Sequence, residues 1–160
     1  METKTKLQIA YEDWFGTAKG SHVAASLTFR QELNGRRLSE IAASSALYVF
    51  ARKLNRYAFG NKTKKSRGGL RLTFAAVREG DCTGVGKHLH YHAMIGVPDR
   101  FSVQEWAKKC DESWSEVRRA GCQNRFEEVV DGGWITYILK RYTKRNFDEC
   151  VDLNTLFLNT

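Results

Sequence analysis

Two runs of period-two alternation, LRLTFAAVRE at 70–79 and HLHYHAMIGV at 88–97, flank the glycine-rich connection GDCTGVGK. Alternation of this kind puts successive side chains on opposite faces of a strand, so it commits this part of the chain to a sheet. In the first run Leu70, Leu72, Phe74 and Ala76 share one face, and Arg71, Thr73, Ala75, Val77 and Glu79 the other. The two runs are close enough in sequence to pair as an antiparallel hairpin with a long loop. HVAASLTFR at 22–30 alternates in the same way, with Val23, Ala25, Leu27 and Phe29 opposed to Ala24, Ser26, Thr28 and Arg30, and NRFEEVV at 124–130 reads as a further strand.

Helical patterns lie between these strands. Ser39 is placed to cap SEIAASSALYVFARKLNRYAF, in which Ile41, Leu47, Tyr48 and Leu54 fall near helical spacing. SVQE at 102–105 is a capping box (Ser102 with Glu105) opening a helix that carries Trp106, Cys110 and Trp114. After Gly132 and Gly133, WITYILKRYTKR reads as helix. Strands separated by helices, with at least one hairpin, predict an α+β domain built on an antiparallel sheet. At 160 residues, 42% hydrophobic and with a single proline, the chain reads as one folded domain, 1–160, without a proline-rich linker or an internal repeat.

Cys82, Cys110, Cys122 and Cys150 form no CxxC pair, which argues against a structural zinc site and for free thiols in a cytoplasmic protein. The N-terminal METKTKLQIAYEDWF lacks the apolar run of a signal peptide, and nothing approaches the ~18 apolar residues of a membrane span. The excess of 26 Lys plus Arg over 18 Asp plus Glu, +8 in all, points to an anionic partner, nucleic acid before membrane. GNKTKKSRGG at 60–69 is either a solvated turn or a flexible finger that grips phosphates.

Three of the four histidines, His88, His90 and His92, occupy alternate positions of one predicted strand. They therefore share a face, opposite Leu89, Tyr91, Ala93, Ile95 and Val97, which is expected to leave the histidine side open for chemistry. Imidazoles at i and i+2 lie ~7 Å apart at the backbone, close enough to converge on one divalent ion. Glu79 would join them if the preceding strand runs that far; otherwise it is a solvated charge at a strand end. Two histidines and a carboxylate leave open positions on Mg²⁺ or Mn²⁺ for substrate oxygens.

In WITYILKRYTKR, Ile135, Ile138, Leu139 and Tyr142 fall in one apolar sector, so Tyr142 reads as core. Tyr137 lies on the other side, about 60° from Lys140 and about 20° from Lys144 at ~100° per residue. Nearby ammonium groups favour a phenolate, so a tyrosine with lysine at i+3 can serve as a nucleophile with its charge helper, although such pairs also occur on ordinary helix surfaces.

Together these motifs resemble the HUH endonucleases, in particular the rolling-circle replication initiators of plasmids and phages. The His-hydrophobic-His motif corresponds to His90-Tyr91-His92, since HYHAMIGVP continues through apolar residues to a proline; His88 is then an additional ligand or a substrate contact. The YxxK motif corresponds to Tyr137-Ile138-Leu139-Lys140, and the resemblance covers about residues 22–145. Histidines ahead of the tyrosine separate the chain from conjugative relaxases, and Tyr142, five residues on, favours a single nucleophile. The resemblance implies a ferredoxin-like or RRM-like sheet with helices on one face, and a metal-dependent nick in single-stranded DNA at an origin or hairpin through a 5′-phosphotyrosine. Tyr137 and Lys140 would be catalytic, and His90, His92 and Glu79 would hold the metal. Lys62, Lys64, Lys65, Arg67, Arg71 and Lys144 would contact the DNA. With no Walker A loop in the chain, a host helicase and polymerase would be partners in the host cytoplasm, with no membrane involved. A single-tyrosine transposase of the same superfamily has the same motif order, and basic loops on a sheet also suit a non-catalytic nucleic-acid-binding module.

Overall fold

The computed structural model describes residues 3–64, 69–140, 144 and 146–160. In chain order these form α1 (Lys6–Gly16), β1 (His22–Leu27), β2 (Glu32–Leu33), β3 (Arg36–Arg37) and α2 (Glu40–Phe59). A 3₁₀ turn (Gly60–Lys64), β4 (Phe74–Glu79), β5 (His90–Gly96), α3 (Val103–Ser115), β6 (Arg125–Glu128) and α4 (Gly133–Ile138) follow. Four strands make one antiparallel sheet in the order β4-β5-β1-β6, and β2 pairs with β3 in a separate hairpin. Read through β1, α2, β4, β5, α3 and β6, the path is β-α-β-β-α-β, the ferredoxin-like arrangement, so the α+β expectation is met.

One sheet face packs under α2 and α3. Ala43, Ala46, Leu47, Phe50, Ala51 and Leu54 line the buried side of α2, an i, i+3, i+4, i+7, i+8, i+11 stripe. That stripe meets Val23, Ala25, Leu27, Phe74, Ala76, Tyr91 and Ile95 of the sheet and Trp106, Cys110 and Trp114 of α3. Leu47 and Leu54 sit in the core as the spacing suggests, whereas Ile41 is 81% exposed and Tyr48 also faces outward. The heavier stripe through Phe50 sets the helix rotation and leaves them on its flank. Ser39 caps α2, and Ser102 with Glu105 forms the complete capping box of α3. Asn124 Oδ1 accepts from Thr28 N, Thr28 Oγ1 and Trp114 Nε1, which fastens the end of β1 to α3.

The opposite face is expected to be open, and it is instead largely covered. Ala75, Val77 and Met94 are apolar residues on the histidine side, and burying them requires a second layer. Phe15 of α1, Ile138 of α4 and Phe147, Cys150 and Val151 supply it. The C-terminal chain also lies along the outer edge of β4, with bridges Val77–Val151 and Phe74–Phe157 and a bond from Arg78 N to the Cys150 carbonyl, so that edge is not left unpaired.

Four strands are shorter than the sequence predicts: β1 ends at Leu27, β4 begins at Phe74, β5 begins at His90 and β6 runs only from Arg125 to Glu128. The helix predicted from Trp134 through Arg145 ends at Ile138, and Tyr142 lies outside the described residues. All four cysteines are free thiols. Among the described residues no helix is long and apolar enough to cross a membrane.

Candidate functional site

The hairpin register places the site. Glu79, the last residue of β4, stands opposite His90, Val77 opposite His92, and His92 opposite Ser26 of β1. Directly paired residues project from the same face, so Glu79, His90, His92 and Ser26 converge at one end of the sheet. One ligand atom from each of Glu79, His90 and His92 lies within 4.8 Å of the others, a group that could hold a metal ion.

Hydrogen bonds orient each of the three. His90 Nδ1 lies 2.8 Å from the His88 carbonyl oxygen, which can only accept, so Nδ1 carries the proton and Nε2 keeps its lone pair for a ligand. His92 Nδ1 is 3.0 Å from Ser26 Oγ, and its Nε2 faces Glu79 Oε2 at 3.4 Å. Glu79 Oε1 accepts from Lys87 Nζ at 2.9 Å. Among the described residues its Oε2 is buried without a hydrogen-bond partner of normal geometry, with the Lys144 ammonium at 3.5 Å. A buried carboxylate oxygen left in this way, facing the His92 Nε2 with His90 in the same group, fits a divalent cation.

Charge states agree with ligation. Burial alone would raise the Glu79 carboxyl, but the Lys87 hydrogen bond and the Lys144 charge bring it down to about 2. Burial, reinforced by the neighbouring His90, lowers His92 to about 4 against the upward pull of Glu79. Near neutral pH the site therefore offers a carboxylate and a neutral imidazole, the forms that bind metals.

The fourth wall comes from α4. Gly133 N donates to Asp131 Oδ1 at 2.8 Å as the chain turns into the helix. Trp134 and Tyr137 stack on each other, and their ring centroids stand 5.6 and 5.5 Å from that of His92. His92 is only 6% exposed beneath them, while Tyr137 remains 46% exposed. Lys140 Nζ lies 3.7 Å from the centre of the Tyr137 ring, so the i+3 lysine meets its tyrosine through the ring face.

Not every expected residue arrives here. His88 lies outside β5, is exposed, and forms an isolated bridge with Asp81. The cause is Gly80, whose φ of +74 and missing Cβ let the hairpin close tightly; a Cβ there would sit 2.4 Å from the His88 carbonyl oxygen. His88 thus contributes its carbonyl to His90 while its ring stays outside the group. Lys144 is not displayed to a phosphate: its side chain is buried against Glu79, and burial lowers its pKa against the pull of that carboxylate. Lys62 and Arg71 are exposed; Lys62 lies in the 3₁₀ turn after α2, and Arg71 precedes the start of β4, which is about 17 Å of strand from Glu79 at ~3.3 Å per residue. Lys64 ends the 3₁₀ turn, and Lys65 and Arg67 lie outside the described residues. Ser26, Lys87 and Trp134, which no motif marks, complete the site. Ser26 was visible on the polar side of its strand, whereas Lys87 depends on a loop path that periodicity does not encode.

No protein-family model, curated protein or solved structure matches the chain.

Proposed function

We propose that the protein is a metal-dependent, site-specific single-stranded DNA endonuclease and ligase of the HUH class, which nicks a replication origin to start rolling-circle replication in the cytoplasm of its host. The observation that carries this reading is a solvent-accessible tyrosine ring 5.5 Å from a histidine of a two-histidine, one-carboxylate group. Glu79, His90 and His92 would hold Mg²⁺ or Mn²⁺. When bound, such an ion supplies Lewis-acid polarisation of the scissile phosphate.

The chain's own groups account for the remainder. Tyr137 Oη attacks phosphorus, the bond to the 3′ oxygen breaks, and a 5′-phosphotyrosine forms. The phenol proton leaves to solvent and the departing 3′ oxygen takes one up, so the free 3′-hydroxyl can prime synthesis or reverse the reaction. Lys140 holds the Tyr137 ring and places positive charge beside the developing oxyanion. Lys87 and Lys144 keep Glu79 ionised and oriented, and Trp134 fixes the Tyr137 plane over His92. Lys62, Lys64, Lys65, Arg67 and Arg71 would grip DNA flanking the nick, and host helicase and polymerase would extend the free end.

Oligonucleotides tiling both strands of the replicon that carries this gene, incubated with the protein and Mn²⁺, should yield a covalent adduct that survives denaturing electrophoresis. Tyr137→Phe should abolish it; an undiminished adduct would exclude Tyr137 as nucleophile. Retained cleavage in His90→Ala/His92→Ala would remove the metal group from the mechanism.

A further inference from the structure

The end of the sheet that carries the metal group bears a second feature, built from arginines that no sequence motif marks. β1 runs toward this end, with Leu27 opposite Tyr91 beside His90, and the chain then forms the β2–β3 hairpin. Asn34 (φ 53) and Gly35 (φ 71) make its two-residue turn, the left-handed pair that suits a tight hairpin. The hairpin is fastened on two sides. The Arg119 guanidinium donates to the carbonyls of Arg30 and Arg36 at 3.3–3.4 Å, and Arg30 N donates back to the Arg119 carbonyl at 2.9 Å. The Arg37 side chain lies against Gly84, where a Cβ would come within 2.7 Å of it, on the same loop whose Lys87 binds Glu79.

Between hairpin and body lies a cavity of about 490 Å³ lined by Leu33, Asn34, Arg36, Arg118 and Arg119. Three arginines line it and, among the described residues, no acidic residue does. Among the described residues, none of the ion pairs involves Arg36, Arg118 or Arg119. Gathering three like charges around one concavity costs Coulomb energy that an anion would relieve. Guanidinium forks suit phosphate oxygens, which they can bind in pairs.

We infer that this arginine cavity takes a backbone phosphate of the single DNA strand that enters the metal group, a few nucleotides from the reacting one. The choice of single-stranded DNA rests on the proposed function; the anionic phosphate ligand rests on the cavity itself. Arg125 extends the cationic track: it pairs with Ser26 across from His92 on the same sheet face and is exposed. Arg71 precedes the opposite end of β4, so it meets DNA that flanks a short strand centred on the metal group, whereas the arginine cavity lies at the metal end.

The test is fluorescence anisotropy of a short labelled oligo-dT with the full chain, in EDTA so that no strand is cut, across a range of salt. Arg36→Ala/Arg118→Ala should weaken binding about tenfold and flatten the log–log salt slope by about 1.4, two phosphate contacts at ~0.7 each. If the double variant misfolds by circular dichroism, Arg118→Gln alone, at an exposed position with its backbone untouched, should flatten the slope by about 0.7. An unchanged slope in a folded variant overturns the inference. So does displacement of the probe by polyglutamate as readily as by unlabelled oligo-dT, which would make the cavity a general acidic-peptide surface. An intact arginine effect without any covalent adduct would remove the nuclease reading and leave the cavity. An adduct with no arginine effect would do the reverse.

Discussion

One face of the sheet sets Leu27, Phe74, Tyr91 and Ile95 against Phe50, Trp106 and Trp114, all buried in one continuous cluster. The other is divided. Ala75, Val77 and Met94 lie in a small apolar cluster at one end, while Glu79, His90, His92 and Ser26 gather at the other beneath two aromatic rings. The same four strands therefore use one surface for cohesion and yield half of the second to ionisable groups. Burying charge is costly, so the site end survives only because Lys87, Lys144, Ser26 and the His88 carbonyl satisfy or offset what is buried there. A rigid cohesive face is what allows a strained, partly unsatisfied one to be held in place.

This contrast can be broken from either side. The largest stability effect is expected on the cohesive face: Trp114→Ala or Phe50→Ala should cost about 3–5 kcal/mol in denaturant unfolding, with the fold at risk of being lost. Met94→Ala, in the smaller cluster, should cost about 2–3 kcal/mol, and an equal loss would deny the difference between the faces. Gly80→Ala should cost about 1–3 kcal/mol, since a Cβ there meets backbone at positive φ. It should also weaken metal binding, because the His88 carbonyl that orients His90 must move.

Acid should weigh most on the site end, with a further contribution from His22 at the opposite end of β1, whose pKa burial also lowers. His92 is lowered from 6.5 to about 4, so between those values the unfolded chain binds the proton that the folded chain refuses, and stability falls as pH drops through that window. Glu79, lowered from 4.5 to about 2, extends the loss to more acidic pH. Thermal melts of the metal-free protein should therefore decline from pH 7 toward pH 4, and His92→Gln should flatten the upper part of that decline. The smallest effect is expected at Ser102→Ala: loss of the α3 capping box should cost about 1 kcal/mol and leave metal binding unaltered.

Period two was enough to bring His90, His92 and Glu79 together, because their shared face depends only on strand pairing and a hairpin of modest length. It failed for His88, because alternation does not say where a strand begins; that was decided by Gly80 and its backbone angle. Helical spacing linked Tyr137 to Lys140 correctly although α4 stops at Ile138, since one turn suffices for that contact. For Lys144 the helix angle pointed toward the tyrosine, while burial beside Glu79 reflects tertiary packing that no local period contains. α1, the β2–β3 hairpin and the C-terminal segment along β4 are not marked by the strand and helix periods, for a related reason. The apolar residues of α1 and that segment become meaningful only once Val77 and Met94 are seen to need a cover. The Asn34-Gly35 turn, by contrast, was a local signal available in the sequence.

The central claim is that Glu79, His90 and His92 form one metal centre beside Tyr137. Anomalous diffraction from crystals grown with MnCl₂ tests it most directly. A single strong manganese peak bonded to the Glu79 carboxylate and the Nε2 atoms of His90 and His92 is expected, as is its loss in Glu79→Ala/His92→Ala. Manganese bound elsewhere, or no peak between these three side chains in a well-ordered crystal, would contradict it.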